Sequence, residues 1–249
     1  MAKLFDFRQV FQNIPELLTY LPITLELALL SMLMGLLLGL VLAIIKMKEV
    51  PVLKQIAGFF VSLIRGTPVL VQLYIVYFGI PMFFKYLNQT YGTNFAVAKI
   101  PGFVYAVLAL GLNNSAFSSE MIRSALMSVG RGQIEAAYAL GMNYWQALKR
   151  IILPEAITVA LPTIGNSLIS SVKGTSLAFT CAVVEMTAQG KIIGGRNYRY
   201  FEVYCSLAII YWLVTIIIEQ VIGLAEQKLA IPDQVENFIP EKTESGNRS

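Results

Sequence analysis

Histidine is absent from this chain of 249 residues, and cysteine occurs only twice. The first absence excludes imidazole acid–base chemistry and any His-rich metal site. Cys181 and Cys205 each sit among apolar residues and form neither a CxxC pair nor a disulfide framework, so they read as two buried thiols. Charge is also scarce, at 14% of residues, where a soluble domain carries about 25%. No G-x-x-x-x-G-K-[ST] phosphate loop occurs, so ATP hydrolysis is not expected of this chain; without histidine, a metal cluster or paired carboxylates at helical spacing in a span, no other enzymatic role is expected either. No Lys/Arg cluster stands on a polar face, and the net charge of +4 therefore does not point to nucleic acid. A repeat of 20–50 residues is not visible either.

What the chain has is apolar length. Apolar residues make up 56% of it, and they fall in long runs rather than on alternating faces. A run of about 20 such residues crosses the roughly 30 Å hydrocarbon core of a bilayer. The runs predict an all-α integral membrane protein of about five transmembrane helices. The first covers 25–45 and contains Gly35 and Gly39, a small-xxx-small spacing that admits a second helix closely. The second covers 56–84 and is interrupted by Arg65-Gly66-Thr67-Pro68; a polar loop follows over 85–99. The third starts after Pro101 and reaches about 122, with a polar second half that includes Asn113 and Glu120. The fourth covers 157–186, about 45 Å if wholly helical, and its central Ser-Ser-Val-Lys-Gly-Thr-Ser reads as a helix break. The fifth covers 203–225.

Residues 1–17 are mixed and polar, which argues against a cleavable signal peptide. The expected organisation is an external N-terminal segment (1–19), a membrane domain (20–226) and a cytoplasmic tail (227–249), polar and disordered at its end. With the N-terminus outside, ten Lys/Arg fall in the cytoplasmic segments and seven in the external ones, a small positive-inside bias.

The segment 131–154 is too polar to span. It carries strong helix formers from Ile134 to Leu140, then Gly141 as a C-terminal stop. Asn143 with Gln146 three residues later forms a capping-box pattern, and Pro154 opens the next span. These features predict two short helices joined by a glycine elbow. Glu135-Ala136-Ala137, then Gly141, then Ile151, Leu153 and Pro154 match the EAA signature of the permeases of ATP-binding-cassette importers. Arg65-Gly66-Thr67-Pro68 followed by Gln72 resembles the RGTP-xxxQ segment of the polar amino acid group. Phe117 and Glu120 match its third span, and Lys173, Thr175, Ser176 and Leu177 resemble its K-D-[ST]-S-L segment. Gly174 stands where that group commonly has Asp, which removes a carboxylate beside the path.

The resemblance covers roughly residues 15–230 and implies the type I importer permease architecture, in a bacterial cell membrane. It makes the elbow a cytoplasmic coupling helix gripped by separate ATPase subunits. It also implies an extracytoplasmic solute-binding protein, a second permease copy as a homodimer, and contact with membrane lipid. The cargo it implies is a polar amino acid, with L-cystine the leading candidate. Ala136 and Ala137 would allow close approach to an ATPase groove, and Glu135 would supply a charge-assisted hydrogen bond. Intramembrane polar groups mark a path. Lys173, Thr175 and Ser176 are the candidates to meet a carboxylate, Glu120 to meet an ammonium or pair with Lys173, and Asn113 and Arg65 to line the way. A secondary amino acid transporter is the alternative. It would be expected to show inverted repeats and an ion site of carboxylates, and neither is evident in the sequence.

Overall fold

The computed structural model describes residues 5–48, 50–96 and 99–229, and helix is the only regular secondary structure among them. Ten α-helices follow in order: α1 (Phe7–Leu18), α2 (Leu21–Met47), α3 (Pro51–Gly66), α4 (Val69–Tyr91), α5 (Gly102–Met127), α6 (Arg131–Ala139), α7 (Tyr144–Ala147), α8 (Leu153–Gly174), α9 (Met186–Asn197) and α10 (Tyr200–Leu229). A π-helical turn, Leu148–Ile152, joins α7 to α8, and a 3₁₀ helix, Thr175–Cys181, extends α8. Four stretches are long and apolar enough to cross a membrane: Leu21–Met47, Val69–Tyr91, Tyr144–Cys181 and Tyr200–Leu229. The central helix α5 is as long as these, but its polar second half lowers its hydropathy. It is sheltered by packing against α2, α3, α4 and α8.

The α2–α5 seam is the tightest in the molecule. Thr24, Ala28, Ser31, Gly35, Gly39 and Ala43 are buried along one face of α2. That stripe of small residues lets the α5 backbone approach, as the small-xxx-small spacing predicted. A second core, with Leu27, Leu73, Ala106, Leu110, Ala178 and Cys181, joins α2, α4 and α5 to the 3₁₀ helix. The interrupted second run becomes two helices. Here α3 packs along α2 and α5, α4 packs on α5 and the 3₁₀ helix, and the chain bends at Thr67-Pro68 between them.

Four stretches differ from the sequence reading. The N-terminal segment folds as α1, capped by Asp6, whose side chain accepts from the Arg8 N–H at 3.0 Å. Val10, Asn13 and Leu17 bury one face of it against α9 and α10. The loop expected over 85–99 begins later, because α4 runs to Tyr91 and stops at Gly92, whose φ of +66° is left-handed. The break expected at 170–176 is absent: α8 continues to Gly174 and tightens into 3₁₀ geometry. The chain turns instead at Ala182, with φ +57°. The connection before the last span is α9 rather than a loop. The tail expectation for 230–249 lies outside the described residues.

Candidate functional site

The elbow is built as its residues dictate. At the end of α6 the Met142 N–H donates to the Ala137 carbonyl at 3.1 Å and the Gly141 N–H to the Tyr138 carbonyl at 2.9 Å. This paired termination requires a left-handed residue, and Gly141 supplies it with φ +80°. Asn143 and Gln146 then close the predicted capping box, with Gln146 N–H to Asn143 Oδ1 at 3.0 Å and Asn143 N–H to Gln146 Oε1 at 2.9 Å. The π turn follows. Its wider ring accommodates Pro154, which has no N–H and whose ring would press on the carbonyl four residues back in an α-helix. Beneath the elbow, Ala125, Val129, Ala156 and Ala160 form a small-residue core that roots it on α5 and α8.

Glu135, Ala136, Gly141, Leu153 and Pro154 are exposed on this element, and so are Leu140 at 79% and Trp145 at 73%. Exposed apolar side chains grouped on one short connection are a candidate docking surface. Ala137 differs from the expectation. It is buried at 1% exposure and faces its own protein, so its small size serves the root of the elbow rather than an approaching groove.

A cleft of about 420 Å³ opens between α5 and α8, with Met32 of α2 and Val69 of α4 at its base. Its polar wall is made by Asn113, Asn114 and Ser118 on α5 and by Thr163, Asn166 and Ser170 on α8. None of the described side chains lining it is charged. Asn113 Nδ2 donates to Gln72 Oε1 at 2.9 Å, and Asn114 Nδ2 to Ser171 Oγ at 3.2 Å. The Gln72 amide in turn donates to the carbonyls of Ile64 and Thr67, at 2.8 and 3.0 Å. Gln72 thereby satisfies backbone that the bend at Thr67-Pro68 frees, a need that is acute inside a bilayer. The Arg65-Gly66-Thr67-Pro68 segment and Gln72 act as one unit that sets the bend against the cleft wall. Arg65 lies over the Phe117 ring, 5.6 Å from its centroid, and Phe117 lines the cleft.

The other expected path residues separate. Lys173 is exposed on α8, while its neighbour Gly174 lines the cleft. Thr175 is fully buried and its hydroxyl donates to the Val172 carbonyl at 2.7 Å, so it faces away from any passing solute. Ser176 is half-buried in the 3₁₀ helix, outside the cleft. Glu120 does not pair with Lys173: its carboxylate takes Lys46 Nζ at 2.5 Å and Arg123 at 3.1 Å, at the elbow end of the bundle.

Two features escaped the sequence reading. One is the α8 wall of the cleft, whose signal was there as Thr163, Asn166, Ser167 and Ser170 at helical spacing within an apolar run. The other is Glu185, fully buried in the connection before α9. It caps that helix through the Ala188 N–H at 2.8 Å and receives the hydroxyls of Thr24 and Tyr211, each at 3.4 Å. A carboxylate inside Ala-Val-Val-Glu-Met was the available clue. Burial raises its pKa above the usual carboxylate range, against the lowering effect of these hydrogen bonds.

Comparison with known proteins bears on this geometry. The model of the family described as "Binding-protein-dependent transport system inner membrane component" matches residues 35–231. The chain is 40% identical over 227 residues to the probable amino-acid permease protein YxeN of Bacillus subtilis, covering 91% of this chain and 97% of that one. It is 39% identical over 229 residues to the L-cystine transport system permease protein TcyL of the same organism, covering 92% and 93%. Among solved structures, an amino acid ABC transporter crystallised with histidines superposes with a TM-score of 0.75 at 35% identity, over 90% of this chain and 99% of that one. An inward-facing MetNI methionine ABC transporter shares the fold, with a TM-score of 0.68 at 18% identity over 88% and 99%.

Proposed function

The chain belongs to the family of binding-protein-dependent transport system inner membrane components, and from that premise we propose that it conducts a zwitterionic amino acid, L-cystine first among the candidates, along the α5–α8 cleft. It is the membrane-embedded permease subunit of an amino acid ABC importer. The observation that carries the cargo assignment is the uncharged polar cleft. Amide and hydroxyl groups offer donors and acceptors to both an ammonium and a carboxylate. A wall with no net sign favours a neutral solute over a cationic one. L-cystine and glutamine are neutral zwitterions, whereas arginine is not.

In this reading the N-terminus is outside and the elbow is cytoplasmic, gripped by a separate ATPase subunit. The exposed Leu140, Tyr144 and Trp145 enter its groove, and Glu135 makes a charge-assisted hydrogen bond at the rim. A loaded binding protein docks on the opposite face. Closure of two ATPases moves two elbows together in a dimer of this chain, and the cleft opens outward.

The experiment is uptake in vesicles carrying the chain, its ATPase and its binding protein. Glu135→Lys is expected to lower ATP-dependent uptake at least about tenfold, the scale of a lost charge-assisted contact, while the chain still inserts. Normal uptake by that variant overturns the docking assignment. Competition by unlabelled glutamine and arginine against labelled L-cystine tests the cargo. Stronger competition by arginine than by glutamine refutes the neutral-solute reading.

A further inference from the structure

The end of the bundle opposite the elbow carries a cavity that shares no lining residue with the α5–α8 cleft. It has a volume of about 630 Å³ and lies between the later part of α4, the start of α5 and the connection that joins them. Small-molecule sites run to roughly 300–1,000 Å³. Four rings line it, those of Tyr77, Phe78, Phe95 and Tyr105, and Tyr77 meets Tyr105 edge to face with centroids 5.7 Å apart. One side chain pins the connection over α4. Asn88 Oδ1 accepts from the Thr93 hydroxyl and the Phe95 N–H, both at 2.9 Å, and Asn88 Nδ2 donates to the Phe95 carbonyl at 3.0 Å. Asn88 is thus spent on building the wall. Two other polar side chains of the lining are not spent. Among the described residues Lys85 has no hydrogen bond or ion pair, and no carboxylate lines the cavity with it. Tyr105 is only 3% exposed, yet its hydroxyl has no hydrogen-bond partner among those residues. A buried hydroxyl in that state costs stability that an acceptor from outside would restore.

We propose that this cavity binds an amphipathic monocarboxylate, a fatty or aromatic acid, whose carboxylate is taken by Lys85 and the Tyr105 hydroxyl and whose apolar body lies among the four rings. The unspent groups select the occupant. An ammonium can only donate and a phenol donates readily, so what is missing is an acceptor. One unpaired cation calls for one negative charge, and a carboxylate turns both contacts into charge-assisted hydrogen bonds. The rings call for an apolar body, because a bare anion leaves them uncovered. Gly102, which also lines the cavity, packs so closely on the Cys181 carbonyl that a Cβ there would collide with it. An occupant therefore sits beside the 3₁₀ helix just before the Ala182 turn.

Native mass spectrometry of the purified full-length chain tests this, with titration by dodecanoate and hydrocinnamate, each against the neutral alcohol of the same body. At least one carboxylate is expected to bind at about one molecule per chain and at least about tenfold tighter than its alcohol, the weight of one charge-assisted contact. Tighter binding of dodecanoate assigns the site to acids from the bilayer and tighter binding of hydrocinnamate to acids from water; either result upholds it. Lys85→Gln is expected to remove the preference for the carboxylate and Lys85→Arg to retain it. Lys99→Gln removes the same charge outside the described lining and is expected to change nothing. Tyr105→Phe is expected to weaken carboxylate binding about fivefold, the weight of a neutral donor. It is also expected to raise the unfolding temperature of the unliganded chain, where a hydroxyl with a structural partner would lower it. Carboxylates that bind no tighter than their alcohols overturn the proposal, as do Lys85→Gln and Lys99→Gln chains that behave alike. A disulfide between Phe78→Cys chains of two copies overturns it too, since a second permease then covers the cavity.

Discussion

A single methyl group on α2 tests the close seam on which the bundle depends. An ideal Cβ at Gly39 would lie 2.7 Å from Ser118 Cβ, 3.0 Å from Ser119 N and 3.1 Å from the Ser115 carbonyl oxygen. Optimal carbon contacts are about 3.5–4.0 Å, so the shortfall is close to 1 Å. Two of those three atoms are backbone, and no rotamer change relieves them; α2 and α5 must separate. Overpacking of this kind costs about 1–3 kcal/mol, yet Gly→Ala in a helix also gains up to about 1 kcal/mol of propensity. Gly223→Ala on α10 isolates the clash, because its Cβ meets nothing within 4 Å. Unfolding midpoints of the two variants in nanodiscs are expected to differ by the full clash, about 1–3 kcal/mol, with Gly39→Ala the weaker. A Gly39→Ala chain as stable as Gly223→Ala refutes the seam.

Further outcomes are expected elsewhere. Gln72→Leu strips the Ile64 and Thr67 carbonyls and the Asn113 amide of their partner. It is expected to cost about 1–3 kcal/mol and to lower uptake, read by thermal unfolding and by transport. Glu185 gives a pH signature. Its raised pKa means that the folded chain binds its proton more tightly than the unfolded chain does. Stability is therefore fullest below the ordinary carboxylate pKa, and it falls as pH rises until the raised pKa is passed. Lys191, the other charged group acting on it, and Tyr211 remain in Glu185→Gln; that variant is expected to flatten the decline in unfolding temperature, and an unchanged slope refutes the assignment. Pro154→Ala restores a donor and removes the ring that the π turn accommodates. It is expected to leave the unfolding temperature nearly unchanged while lowering the ATPase stimulation produced by a loaded binding protein, measured in the assembled importer.

Local chemistry explains which parts could be read in advance. The elbow was legible because glycine in a left-handed turn and an Asn–Gln capping box act within a few residues. The bend at Thr67-Pro68 was legible for the same reason. The helix break expected around Lys173 was not there, since serines and one lysine do not stop a helix whose neighbours bury its other face. The buried positions of Ala28, Ile169 and Val172 show how α8 is held through that stretch. Pairing between distant residues was beyond reach. Glu120 and Lys173 share charge complementarity and an apolar context, but Lys46 arrives from α2 and takes the carboxylate. The cleft wall on α8 was readable in principle, because its polar residues repeat at helical spacing. A single charge in an apolar run is a stronger signal than a neutral stripe, so Lys173 stands out in the sequence and the α8 wall does not.

Neutrality of the cleft and continuity of α8 belong to one mechanical arrangement. From Tyr144 to Cys181 the chain is an unbroken helical rod of 38 residues, α-helical in the middle, with a π turn near the elbow and 3₁₀ geometry at the far end. It forms one wall of the cleft. The facing wall, α5, is fixed to α2 by glycine contacts and to α4 by the Gln72–Asn113 hydrogen bond. In the proposed cycle a displacement of the elbow would travel along α8 to the Ala182 turn, while α2 and α5 stay together. The side-chain hydrogen bonds that tie α8 to α5 and α2 are long ones: Asn114 to Ser171 at 3.2 Å and Ser171 to the Ala28 carbonyl at 3.3 Å. Neutral hydrogen bonds contribute about 1 kcal/mol each, within reach of a docked partner. An uncharged lining therefore suits both the zwitterionic cargo and the moving wall of the proposed cycle.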